Sequence, residues 1–445
     1  VSESMSSLRR QLWQQTWPMA IGVLSLLGFQ LVDSAFIARL GTQPLAAQTF
    51  TFPLSFLIIG VQVGLGIAIA ALISRTLGTG DTARARRLGS LVLIGGSALM
   101  ALLVLIMWAA QTPIFTLLGA DAPTRELIRG YWGPQLVANW LGAVLYFGYS
   151  LFRAHGDTRL PGKLMVLTSL INLVLDPLLI FGVGNWSGWG LPGAAWATAM
   201  AFAIGIWFLV VRLRAHDWLA RHGLRNEVRI SAVPFMAIAG PAMISQLMPP
   251  LAAMLATSVV AKLGETAVAA WGLASRLETL SLMVVLALTM SLPPWLGRCY
   301  GAGDWPRIDA LMRLAVRTAV IWQLALGCVM ALAAPWIAVA LSGNPEIRDE
   351  LATLIRWLLP SYSLLGLCML VVSASNALGW PVRAMLLSFM RLFVCYLPCL
   401  AVGAWLSGIF GVAWGAALGN VLAGGLAWGI FRRSLTQRMA ANGST

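Results

Sequence analysis

Apolar runs of about twenty residues recur along the whole chain, each long enough to cross the roughly 30 Å of hydrocarbon in a bilayer. They predict twelve spans, near residues 17–40, 50–77, 88–110, 131–155, 161–184, 190–212, 234–262, 271–297, 311–335, 355–379, 382–406 and 410–431. The runs are continuously apolar rather than alternating, and about twice the length of a barrel strand, which argues against a β-barrel. No soluble domain interrupts them. The expected fold is an all-α integral membrane protein of twelve transmembrane helices.

The polar punctuation between the runs repeats. Pro18 matches Pro241, Leu40-Gly41 matches Leu263-Gly264, and Ala46-Ala47 matches Ala269-Ala270. Arg75 matches Arg298, Gly78, Gly80 and Asp81 match Gly301, Gly303 and Asp304, and Gly156 matches Gly379; every pair is 223 positions apart. Six spans per repeat is an even number, so both halves enter the membrane in the same direction. That implies two six-helix bundles related by a pseudo-twofold axis along the membrane normal. The expected division is an N-terminal lobe over 1–212, a cytoplasmic linker over 213–233 and a C-terminal lobe over 234–445.

Composition strengthens this picture. Only 10% of the residues are charged and 59% are hydrophobic, whereas a soluble domain carries about 25% charged residues. Net charge is +14, which could signal nucleic acid, but the basic residues sit in short loops and so set orientation instead. Arg9 and Arg10 precede the first span; Arg84, Arg86 and Arg87 lie in the second loop; Arg432, Arg433 and Arg438 follow the last span. Both termini and the even loops are therefore expected in the cytoplasm. The first run is long and is expected to remain as a span rather than be cleaved. The five cysteines lie in or beside apolar runs without metal-ligand spacing and read as packing.

Charges inside spans are costly and are functional candidates by default. Asp33 lies 15 residues beyond Pro18, and Asp176 lies 15 residues beyond Pro161. Both spans start on the same side, so each carboxyl sits about 22 Å along its helix. Two buried acids at one depth could form a single site. Such a pair can load and release a proton, or hold a small hard cation such as sodium through the same oxygens. Asn172 shares the helix face of Asp176, and Pro177 frees a backbone carbonyl one turn earlier. The second half does not repeat the acids: Ala256 and Cys399 stand at the equivalent positions. It offers Glu278, a candidate for the substrate cavity, with local pairing to a basic group as the alternative. Gln30, Asn139, Gln246, Tyr362 and Asn376 are further cavity candidates, each with interhelical hydrogen bonding as the blander reading.

Enzyme motifs are absent, with no P-loop and no metal pattern around His155, His216 and His222. No cofactor is expected beyond a coupling ion, H+ or Na+. Nothing demands more than a monomer in membrane lipid.

The segment VDSAFIARLGTQPLAA, the ISRTLGTGD and GRCYGAGD loops, and SLINLVLDPLLIFG followed by GLPGAAWATAM resemble multidrug and toxic compound extrusion (MATE) transporters over nearly the whole chain. The two N-terminal acids resemble the DinF-like branch. The resemblance implies a bacterial inner-membrane exporter of cationic or amphipathic compounds, exchanging them for protons or sodium by alternating access. It places the cation site on Asp33, Asn172, Asp176 and Thr198, with Asn139 a weaker match, and Glu278 at a common C-lobe position. A tyrosine one turn before the first acid is replaced by Phe29. The alternatives are a lipid-linked precursor flippase, which would need an Arg-rich cavity, and a membrane-embedded lipid-carrier transferase, which would need a polar cluster in a loop.

Overall fold

Backbone polar groups within hydrocarbon must find partners inside their own segment, and a helix is the way a single segment does so. The computed structural model describes residues 5–443. The first half comprises α1 (Met5–Ala38), α2 (Thr42–Gly78), α3 (Thr82–Ala109), a short α4 (Gln111–Leu117), α5 (Ala122–Ala154), α6 (Arg159–Phe181) and α7 (Leu191–Arg214). The second comprises α8 (Leu224–Ala261), α9 (Glu265–Ser281), α10 (Met283–Gly301), α11 (Trp305–Leu332), a short α12 (Ala334–Leu341), α13 (Pro345–Ala377), α14 (Pro381–Phe389), a π-helical stretch (Met390–Tyr396) and α15 (Leu397–Gly443).

Nine helical segments among the described residues are long and apolar enough to cross a membrane, and α9 with α10, bent by 42°, make a tenth. The segment Pro381–Ala440 is 60 residues long and breaks at Ser407 and Gly408, where φ reaches 61°; it therefore supplies two spans. The more polar α5, 33 residues long, completes the twelve.

The 223-residue offset extends to the helix ends. Ala38 and Ala261, Gly78 and Gly301, Ala109 and Leu332, and Ala154 and Ala377 each close a helix. The repeated residues are the ones these ends require. Gly41 and Gly264 have φ of 113° and 117°, and Gly80 and Gly303 have φ of 84° and 72°, values a side chain resists. Asp81 caps α3 by accepting from the Arg84 N–H at 2.9 Å, and Asp304 caps α11 by accepting from Arg307 at 3.1 Å. Gly66 lets α2 pack closely on α5: a Cβ there would overlap the Tyr146 ring.

The chain forms two compact units, one of residues 21–243 and one of residues 1–20 with 244–445. The divisions fall inside α1 and α8. Within the second unit, Trp13 meets Trp322 edge-on at 6.5 Å and Thr16 shares a 3.2 Å hydrogen bond with Ser291. Within the first, the connection 215–223 lies strapped to the bundle. Ala220 and Ser90 bond in both directions, at 2.7 and 2.9 Å, and Trp218 stacks on His155 at 4.0 Å. Residues 224–233 already belong to α8, where the buried Glu227 accepts from Arg84 and Arg87 at 3.0 and 3.1 Å.

Candidate functional site

In the first unit α1 and α6 run side by side. Gly22 lets α1 approach Met165 and Gly162, and further along Phe36 meets Phe181 at 6.1 Å. Between these points the helices bring Asp33 and Asp176 within hydrogen-bond range of each other. Asp176 is wholly buried, and Asp33 is half-buried. One turn before Asp176 on α6, the buried Asn172 donates from Nδ2 to Thr198 Oγ1 of α7 at 3.0 Å. Thr198 in turn donates to the Ala194 carbonyl at 3.2 Å. This fixes the amide and leaves its oxygen as an acceptor. Pro177 lacks an N–H, so the Leu173 carbonyl has no helical donor four residues on.

The oxygens have few donors. Asp33 Oδ1, both carboxyl oxygens of Asp176 and Asn172 Oδ1 are buried and accept no hydrogen bond from the described residues. Two ionised carboxyls offer each other only acceptors, and in an apolar surround their charges repel. A shared proton satisfies such a pair, and so does a small hard cation, which takes carboxylate and amide oxygens as ligands. Among the described residues no group of three or more His, Cys, Asp and Glu gathers as a metal cluster; the donors at the pair are two carboxyls and an amide.

Asn139 lies on α5 in a polar row. Tyr131 donates to Gln135 at 3.0 Å, and Gln135 donates to Asn139 Oδ1 at 3.2 Å. Tyr131 is buried, lies near enough to Asp33 to feel its charge, and is within hydrogen-bond range of Gln48 on α2. Sequence reasoning missed Tyr131, Gln135 and Gln48. The first two carried a signal, since 131, 135 and 139 are spaced by four and share a helix face; Gln48 carried none. Tyr131 also supplies, from another helix, a tyrosine near the acid that carries Phe29 one turn earlier.

The second unit holds a different cluster. Tyr362 of α13 donates to Glu278 Oε2 of α9 at 3.0 Å. Arg391, in the π-helical stretch, is buried and close enough to Glu278 to attract it. Tyr362 is the 223-residue counterpart of Asn139. The other cavity candidates sit at separate positions along their helices. Asn376 is buried in the last turn of α13, 14 residues and so about 21 Å beyond Tyr362. Gln30 is exposed on α1, and Gln246 is half-buried on α8.

A twice-repeated set of membrane helices around buried acids is the architecture of a multi-pass membrane transporter. The MatE family profile matches residues 18–178 and 241–402, and the chain belongs to that family. It is a transporter of small molecules rather than an enzyme. It is similar to VcmN, a MATE transporter of Vibrio cholerae crystallised as an Asp-to-Asn mutant, with a TM-score of 0.94 and 44% identity over 97% of this chain and 98% of that one. A protein of Shewanella oneidensis named FAD transporter is 32% identical over 93% of this chain and 92% of its own length. The multidrug export protein MepA of Staphylococcus aureus is 23% identical over 91% of this chain and 89% of its own length.

Proposed function

We propose that this protein exports small organic molecules, cationic or amphipathic in the main, across the bacterial inner membrane in exchange for a cation. The ion, H+ or Na+, binds at Asp33 and Asp176, with Asn172 as a further oxygen ligand and Thr198 orienting the amide. The observation that carries this reading is the group of four buried oxygens without a donor. Binding a positive charge there halves the negative charge of the pair and relieves the repulsion, and releasing it restores that repulsion. The two states differ in electrostatic energy, which is what coupling to a conformational equilibrium requires. Asn139, through Gln135 and Tyr131, extends the polar wall that would hydrate the ion. Within its own unit, Glu278 with Tyr362 offers an acid suited to a cationic substrate. A site built on acids does not suit the pyrophosphate of a lipid-linked precursor.

A second reading of the cargo rests on the relative named FAD transporter, the one at 32% identity. A flavin dinucleotide is aromatic and amphipathic, so it falls within the cargo class proposed above.

Purified protein in liposomes, with an imposed proton or sodium gradient, tests both cargoes side by side. Ethidium and FAD serve as probes. Either probe should move against the gradient that drives it, and Asp33→Asn should reduce gradient-driven movement at least a hundredfold while the protein remains folded in the membrane. Full activity in that variant refutes the coupling site. Movement of FAD alone selects the second cargo.

A further inference from the structure

The second unit carries a basic groove that the acid pair does not use. It lies between the first turns of α1 and the lower half of α11. An inner cavity of about 310 Å³ is lined by Arg9, Trp13, Arg317, Ile321 and Trp322, among others. It adjoins an outer one of about 630 Å³ that shares Arg9, Trp13 and Arg317 and adds Arg10. Arg9, Arg10 and Arg317 are exposed, and none forms an ion pair or hydrogen bond with the described residues. The nearest acid along α11, Asp309, is held by Arg313 at 2.6 Å and by Arg432. Three cations thus converge on one groove, and among the described residues no anion meets them.

The groove is polar at one end and apolar at the other. Trp17 follows Trp13 by one turn of α1, and Ile321 and Leu324 follow Arg317 by one and two turns of α11. Trp17, Ile321 and Leu324 are 49%, 57% and 44% exposed, so a shelf of apolar surface continues from the arginines toward the middle of the membrane. Arg9 and Trp17 are separated by about 12 Å along the helix. That is the spacing from a headgroup phosphate into the acyl region. Tryptophans also favour this depth, where one edge is wet and the other apolar.

We infer that this groove binds an anionic phospholipid, its phosphate held by Arg9, Arg10 and Arg317 and its acyl chains lying on Trp13, Trp17 and Ile321. Charge complementarity selects an anionic headgroup over a zwitterionic one, whose amine would bring a cation back among the arginines. The adjoining shelf selects a lipid over a free phosphate. Basic pockets between membrane helices bind anionic headgroups elsewhere by this chemistry.

Native mass spectrometry of the full chain in detergent provides the test, with phosphatidylglycerol, cardiolipin and phosphatidylcholine as probes. Phosphatidylglycerol or cardiolipin should be retained at least tenfold more than phosphatidylcholine. The triple variant Arg9→Gln/Arg10→Gln/Arg317→Gln should lose that preference, whereas Arg433→Gln/Arg438→Gln should keep it. Equal retention by the triple variant and the parent overturns the site. Displacement of the lipid by millimolar inorganic phosphate also overturns it, in favour of a soluble anion. A second measurement needs no variant: photoactivatable phosphatidylglycerol should label peptides covering residues 9–17 or 314–324, and labelling confined to other segments overturns the proposal.

Discussion

Asn172 shows how a single side chain is tuned for the proposed site. Its Nδ2 is fixed by Thr198, so its oxygen is free to face Asp176. Thr198→Val keeps the shape and removes the acceptor. It should cost about 1 kcal/mol of stability, read as a lower unfolding midpoint in detergent. It should also weaken ion binding in the transport assay while Thr198→Ser restores both. An unchanged ion dependence in the valine variant would separate Thr198 from the site. The acids and Asn172 were legible in the sequence because polar residues stand out within apolar runs, whereas Thr198 came only from the family resemblance. Gln48 was not, because its significance comes from which helices meet and not from its own neighbours in the chain; Tyr131 was missed although its spacing of four from Gln135 carried a signal.

At the scale of the element, the twelve spans were legible because each must be apolar over a fixed length. The details that escaped are those the bilayer does not dictate. α1 begins at Met5, well before its apolar run, because a polar first turn can be helical beyond the hydrocarbon. The short α4 and α12 lie parallel in sequence at the same offset, yet neither is long enough to span. The bend at Leu282 and the π-helical stretch at Met390–Tyr396 have no periodicity signal. That stretch contains Arg391 and Cys395, which occupy the counterparts of Thr168 and Asn172. The two halves thus part in backbone form at the helix where they part in chemistry, and π-bulges are common at functional positions. The repeated caps make a prediction of their own. Asp304→Ala removes the acceptor for the Arg307 N–H and should destabilise the protein by about 1 kcal/mol. Asp304→Asn should recover most of it. Thermal unfolding in detergent measures both, and an unaltered midpoint in the alanine variant would show that the cap contributes nothing there.

For the whole molecule, the even number of spans and the distribution of arginines give an orientation that a fusion experiment can test. A fluorescent protein joined after Arg438 should fluoresce, and alkaline phosphatase at the same point should be inactive, since both report a cytoplasmic end. The reverse pair of results would invert the topology. The internal repeat was visible in the chain because turn glycines and capping aspartates are needed at fixed places. The division into two units was not fully visible. It passes through α1 and α8, where the sequence has no change of composition to mark it.

The sharing of those two helices has a consequence for how the protein is made. Synthesis proceeds from the N-terminus, and domains generally assemble as their residues appear. The unit that holds Asp33 and Asp176 needs the chain up to residue 243, beyond the end of the sixth span, before its last helix segment is in hand. The described first turns of α1, up to Ala20, group with the other unit and find partners such as Ser291 and Trp322 only when a further two or three spans have been made. A segment made before the ion-handling bundle is therefore fastened only after it, and a ribosome stalled near the midpoint would leave an almost complete bundle with that segment of α1 still unpaired.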